Sequence, residues 1–221
     1  MNLSQNINQF NQQLSLTADL PDDVIVMNPY EDKKTATLAA KFYNKYYSDS
    51  NPRKLILGIN PGRLGGGITG VPFTDPLKMQ DICGITNELS KKTEPSAGFI
   101  YDMISAYGGP EKFYGNYFIY AVCPLGFTKN RINYNYYDDK VLEKAVTPFI
   151  LESLSKILSF NIDKEVCFCL GNGKNYKFLN ALNNQHQFFE KVIPLPHPRW
   201  IVQYRRKRYQ EFIDLYLREL H

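Results

Sequence analysis

Four short apolar runs punctuate the chain, at residues 55–59, 117–123, 166–170 and 192–195, and each ends in Gly, Pro or Asn. Runs of this length between turn formers predict buried strands. Between and around them, apolar residues recur at helical spacing over 35–47, 99–107, 141–159, 174–182 and 204–220. Gly108-Gly109-Pro110 stops the second of these helices. Pro148 is expected to bend the third or to lie near its start. The last should present Tyr204, Phe212, Ile213, Leu215 and Tyr216 on its apolar side. Residues 1–30 read as a helical or irregular lead-in. Residues 60–98 and the tyrosine-rich 125–139 read as long loops, the first with a short helix, and long loops in compact domains usually serve function.

Strands alternating with helices predict an α/β fold: a single three-layer domain over 1–221 around a central four-stranded parallel sheet. Such sheets bind ligands beyond the carboxyl ends of their strands. That topology gathers Asn60, Pro124, Asn172 and His197 on one rim.

Composition narrows the class. With 43% apolar and 22% charged residues, disordered, collagenous and coiled-coil architectures are excluded. The 14% aromatic share suits stacking on bases and suits an aromatic-rich core equally well. No apolar run is long enough to cross a bilayer, and the polar Met1–Leu20 segment lacks the pattern of a signal peptide, so a cytoplasmic protein is expected. Cys83, Cys123, Cys167 and Cys169 have no C-x-x-C spacing and read as buried, reduced thiols. The net charge of +4 is unevenly spread: between Lys191 and Arg208 there are six basic residues and no acidic one, with Arg205-Arg206-Lys207-Arg208 consecutive. Such a cluster attracts polyanions, nucleic acid above all, and fits a solvated helix face as well.

Candidate chemistry centres on Leu55-Ile56-Leu57-Gly58-Ile59-Asn60-Pro61-Gly62, a buried strand closing in a turn that offers one amide. A flexible stretch with Gly65, Gly66, Gly67 and Gly70 follows and delivers Phe73 after Pro72. Taken alone, Asn60 is also a common turn residue, and Phe73 also fits a core. His197, between Pro196 and Pro198, is held rigidly at another strand end. Asp138-Asp139 reads as a helix start.

Together, Gly58-Ile59-Asn60-Pro61-Gly62 and Thr69-Gly70-Val71-Pro72-Phe73, Tyr120-Ala121-Val122-Cys123-Pro124-Leu125, and Pro196-His197-Pro198-Arg199 resemble, in order and spacing, the motifs of the single-strand-selective monofunctional uracil-DNA glycosylases, here as a diverged, bacterial-type branch of the uracil-DNA glycosylase superfamily. The resemblance implies a DNA glycosylase that starts base excision repair. Asn60 would hold the attacking water, and His197 would stabilise negative charge on the departing base. Phe73 would stack on the flipped base, with Gly58, Ile59, Pro61, Gly62, Gly70, Cys123 and Asn172 completing the substrate site. Arg63, Arg199 and Arg205 would contact DNA, Arg199 in the wedge region. The reaction implied needs no metal or cofactor. The partner implied is DNA carrying uracil or a modified base, single-stranded and also double-stranded, bound by a monomer.

The sequence departs from the family pattern twice. Ala121 stands where an asparagine usually reads the base edge, which leaves base specificity open, with Asn130, Asn133, Asn135 and Asn172 as candidates for a substitute amide. The His197-Pro198-Arg199 segment is two residues shorter than usual, which favours single strands. Two other readings compete: a non-catalytic single-strand binder using tyrosines and the basic segment, and a nucleotide-binding α/β enzyme cradling phosphate in the 62–70 glycines. The second lacks both glycine-rich nucleotide-binding patterns.

Overall fold

The computed structural model describes residues 1–221. The chain opens with α1 (Leu3–Gln13), capped by Asn2, whose side chain accepts from the Gln5 N–H while Gln5 reaches back to the Asn2 backbone. Then come β1 (Val24–Met27), α2 (Lys33–Tyr46), β2 (Arg53–Gly58), the short α3 (Gly66–Thr69) and α4 (Pro76–Asp81), α5 (Pro95–Tyr107) and α6 (Pro110–Asn116). The chain continues through β3 (Tyr117–Ala121), β4 (Gly126–Lys129), β5 (Ile132–Tyr134), α7 (Lys140–Ile157), β6 (Ile162–Leu170), α8 (Lys174–His186), β7 (Lys191–Leu195), α9 (Pro198–Tyr204) and α10 (Tyr209–Leu220).

The expected parallel sheet is present, ordered β3-β2-β6-β7. Its register aligns the carboxyl ends: Gly58 lies opposite Ala121, Leu57 opposite Cys169, and Leu170 opposite Leu195. β2 and β3 are buried along nearly their whole length, which explains their unbroken apolar sequence. Against β3 packs an aromatic cluster, with Phe42, Tyr43, Tyr46, Tyr47, Tyr114 and Phe118 linked by ring contacts. Arg53 is fully enclosed there; its guanidinium grips Asp49 through two nitrogens and donates to the Tyr114 carbonyl.

Several elements differ from the sequence reading. The 125–139 stretch is no plain loop: β4 and β5 form a hairpin that pairs antiparallel with β1 in a second sheet, ordered β1-β4-β5. Its two-residue turn is Asn130-Arg131, both left-handed at φ 51° and 61°, as a type I′ turn demands. Arginine at the second position hid a turn that glycine would have announced. The final helix is two, α9 and α10, broken by a 3₁₀ turn over Arg206–Arg208; Tyr204 ends α9 and is exposed rather than on an apolar side. Pro148 lies inside α7, which runs through it. Asp139 caps α7 by accepting from Val141 and Leu142, the helix-start role expected of it.

Candidate active site

At the carboxyl edge of the parallel sheet lies a cavity of about 400 Å³, in the size range of small-ligand sites. Each strand end contributes: Gly58 to Gly62 after β2, Tyr120 and Ala121 from β3, Gly171 to Asn175 after β6, and His197 after β7. Phe73 and Pro72 from the glycine-rich segment, Glu94 and Ser96 at the start of α5, Asn133, Asn135 and Tyr137 around the hairpin, and the outer face of α9 complete the wall.

The Asn60 amide is clamped at both ends. Its Nδ2 donates to the Tyr134 carbonyl and its Oδ1 accepts from the Tyr136 N–H, each at 3.2 Å. The small second sheet thereby fixes the rotamer of a side chain on the large one. Oδ1 keeps one lone pair and Nδ2 one hydrogen for a ligand or water.

His197 is the N-cap of α9, and its Nδ1 accepts the Arg199 N–H at 3.1 Å. Nδ1 is therefore unprotonated, and Nε2 carries the proton, with no partner in the chain. Burial, and secondly the Arg199 guanidinium, push the imidazole down to about 4. The ring is only partly buried, open to the cavity, so water moderates the shift; its direction keeps His197 a neutral Nε2–H donor at pH 7.

Phe73 stands 5.9 Å from the His197 ring, tilted by 51°. It is half-buried and adopts φ 52°, a conformation that costs a non-glycine residue on the order of 1–3 kcal/mol. Gly58 makes this possible: a Cβ there would sit 2.9 Å from the Phe73 ring.

Other anticipated residues fall elsewhere. Cys123 is fully buried, off the cavity wall, with its thiol pushed up to about 12 by burial; its backbone N–H ties to the Ile59 carbonyl. Gly70 is also off the wall: at φ 71° it ends α3, and its carbonyl accepts from the Tyr30 and Tyr43 hydroxyls. Arg63 is exposed beside the cavity, touching it only through its N–H to Asn133 Oδ1. Arg205 stacks 4.7 Å over Trp200 on the exposed side of α9, whereas Arg199 lines the cavity itself. Of the asparagines weighed against Ala121, Asn133, Asn135 and Asn172 line the cavity and Asn130 does not.

Three residues escaped the sequence reading. Asn175, almost fully buried, donates to the Gly58 and Leu170 carbonyls and accepts from the Tyr136 hydroxyl, so one amide ties β2, β6 and the hairpin loop together. Lys174 lines the cavity with its ammonium 5.8 Å from the Tyr137 ring centroid. Glu94 lines it with an enclosed carboxyl oxygen that has no partner. None sits in a recognisable motif. No group of three or more His, Cys, Asp or Glu side chains is arranged to hold a metal ion, and no helix is long and apolar enough to cross a membrane.

The profile of the uracil DNA glycosylase superfamily matches residues 45–221. The crystal structure of wild-type SMUG2 from Pedobacter heparinus superposes with a TM-score of 0.96 at 46% sequence identity, covering 99% of this chain and 97% of that one. A search of curated proteins finds no match.

Proposed function

The chain belongs to the uracil-DNA glycosylase superfamily, and we propose that it is a monofunctional DNA glycosylase that hydrolyses the N-glycosidic bond of uracil or a related damaged base, initiating base excision repair. One observation carries this reading: the neutral Nε2–H of His197 and the clamped amide of Asn60 open on one cavity that Phe73 also lines.

The target nucleotide leaves the stack, at a cost of a few kcal/mol that is smallest in single strands. Its base stacks on Phe73, which returns about 1–3 kcal/mol. As the C1′–N bond lengthens, its electron pair moves onto the base and negative charge appears on the pyrimidine O2. The His197 Nε2–H donates to that oxygen; a neutral donor needs no proton transfer to do so, and such donors typically contribute about 10²–10³ in rate. Asn60 Oδ1 holds a water against C1′. The water oxygen bonds C1′ and becomes the sugar hydroxyl, and the proton it loses ends on the released base. An amide orients water without deprotonating it, so turnover is slower than with a carboxylate at position 60.

The protein acts on DNA as a monomer in the cytoplasm, without a cofactor, and prefers single strands because the segment from His197 to Arg199 is short. Base choice falls to Asn133, Asn135 and Asn172, since Ala121 has no polar side chain.

The test is base release from single- and double-stranded oligonucleotides carrying uracil, xanthine or cytosine. Uracil release should be faster from single strands, and Asn60→Ala and His197→Ala should each slow it about 10²-fold or more while leaving oligonucleotide affinity intact. Affinity without release would instead identify a non-catalytic binder, for which exposed Trp200 and Tyr204 beside Arg199 and Arg205 are suited. A borohydride-stable DNA adduct, lost in Lys174→Ala, would replace the monofunctional assignment with a lyase.

A further inference from the structure

Glu94 occupies the N-cap position of α5, yet its side chain does not cap the helix. Its backbone N–H donates to Asp75 Oδ2, so the residue is anchored while the carboxyl remains unengaged. That carboxyl lies against the glycine loop that follows Asn60. A Cβ at Gly65 would be 1.8 Å from Oε2, and one at Gly62 would be 3.6 Å from Oε1. Oε2 is enclosed and has no partner, although the residue lines the same cavity as Asn60, Phe73 and His197.

A half-buried carboxylate with one oxygen enclosed and without a partner is costly, so the protein has reason either to remove this group or to use it. Burial, and then the carboxylate of Asp75, raise its proton affinity, with the Arg199 guanidinium opposing; the net result is pushed up to about 7. Water reaching the half-buried side chain moderates this shift, as it does at His197, but its direction leaves a protonated fraction of Glu94 near neutral pH. Its surroundings favour an anion. The first turn of the 13-residue α5 carries no acidic side chain, Ser96 lines the cavity there, and Arg199 lies on the facing helix. Beside the Asp75 carboxylate, which is engaged by the Glu94 N–H, an ionised Glu94 opposes a phosphate at this place, and protonation both removes that charge and creates an O–H donor.

We propose that Glu94 is a substrate-positioning residue that, as the neutral acid, donates a hydrogen bond from Oε1, the oxygen that is not enclosed, to a phosphate oxygen of the strand seated in the cavity, so that strand binding takes up a proton from solvent. This rests on the reading of the cavity as a DNA site, and it adds to that site a contact beyond Asn60, Phe73 and His197.

The probe is a short single-stranded oligonucleotide with one 2′-fluoro-2′-deoxyuridine, whose glycosidic bond resists hydrolysis. Wild-type affinity should fall by roughly tenfold per pH unit above about 7. Glu94→Gln, which keeps a donor and cannot ionise, should bind at pH 8 as tightly as the wild type does at pH 6. Calorimetry of the wild type in buffers of different ionisation enthalpy should register proton uptake near pH 7.5, a readout independent of any variant's folding. Wild-type binding that is flat with pH, absence of proton uptake, or a Glu94→Gln profile that tracks the wild type would overturn the role of Glu94 alone. No binding at any pH would overturn the DNA site with it.

Discussion

The tightest constraint at the residue scale is the pairing of Gly58 with Phe73. Glycine at the end of β2 reads from sequence as a turn former, but its φ is not in the left-handed region; what requires it is the aromatic ring. Phe73 in turn holds an unfavourable backbone conformation, which persists only where surrounding structure enforces it. Gly58→Ala should therefore displace the ring and slow uracil release by about tenfold or more, since small misplacements at a reacting centre are costly. In a Phe73→Ala background the same substitution should cost little. Single-turnover kinetics of the four proteins measures the coupling, and additive losses would separate Gly58 from the ring. The sequence marked both residues; it could not show that one exists to admit the other.

At the scale of elements, the site is the meeting of two sheets. Parallel strands place His197, Asn60 and the Ala121 backbone on one edge, as alternating strands and helices foretold. The orientation of Asn60, however, comes from the hairpin, through Tyr134 and Tyr136. Asn175 fastens that hairpin to the large sheet by accepting from the Tyr136 hydroxyl while donating to carbonyls at the ends of β2 and β6. Asn175→Leu keeps approximate volume and leaves these buried groups unpaired, a change expected to cost roughly 2–4 kcal/mol. Urea denaturation should register that loss. Uracil release should fall further than the folded fraction accounts for, because the Asn60 rotamer loosens; release that follows folded fraction alone would make Asn175 purely structural.

Over the whole molecule, the basic C-terminal stretch divides by geometry. Arg199 lines the cavity and Arg205 flanks it on Trp200, whereas Arg208 is held 2.7 Å from Glu211. Each free phosphate contact on a single strand contributes about 0.7 to the slope of log affinity against log salt. Arg199→Ala and Arg205→Ala should each lower that slope by about this amount, and Arg208→Ala should leave it nearly unchanged. Fluorescence anisotropy across a salt series checks this, and a full loss in Arg208→Ala would show that its pair with Glu211 opens on binding. The run of like charge was legible in the sequence, but which members lie at the cavity was not, because α9, a 3₁₀ turn and α10 point them in different directions.

The sequence by itself determined the parallel sheet and the gathering of its strand ends, with Asn60 and His197, along one edge. These arise from local patterns: apolar runs make strands, glycine and proline end them, and a parallel sheet brings the turns beyond its strands to one edge. Tertiary structure alone decided the hairpin's place, the His197 tautomer, the withdrawal of Cys123 and Gly70 from the cavity, and the convergence of Asn175, Lys174 and Glu94 upon it. Glu94 lies 34 residues after Asn60 in the numbering, in a segment without periodicity. Its burial against the glycine loop and its missing partner arise from contacts between distant segments, and no local pattern encodes those.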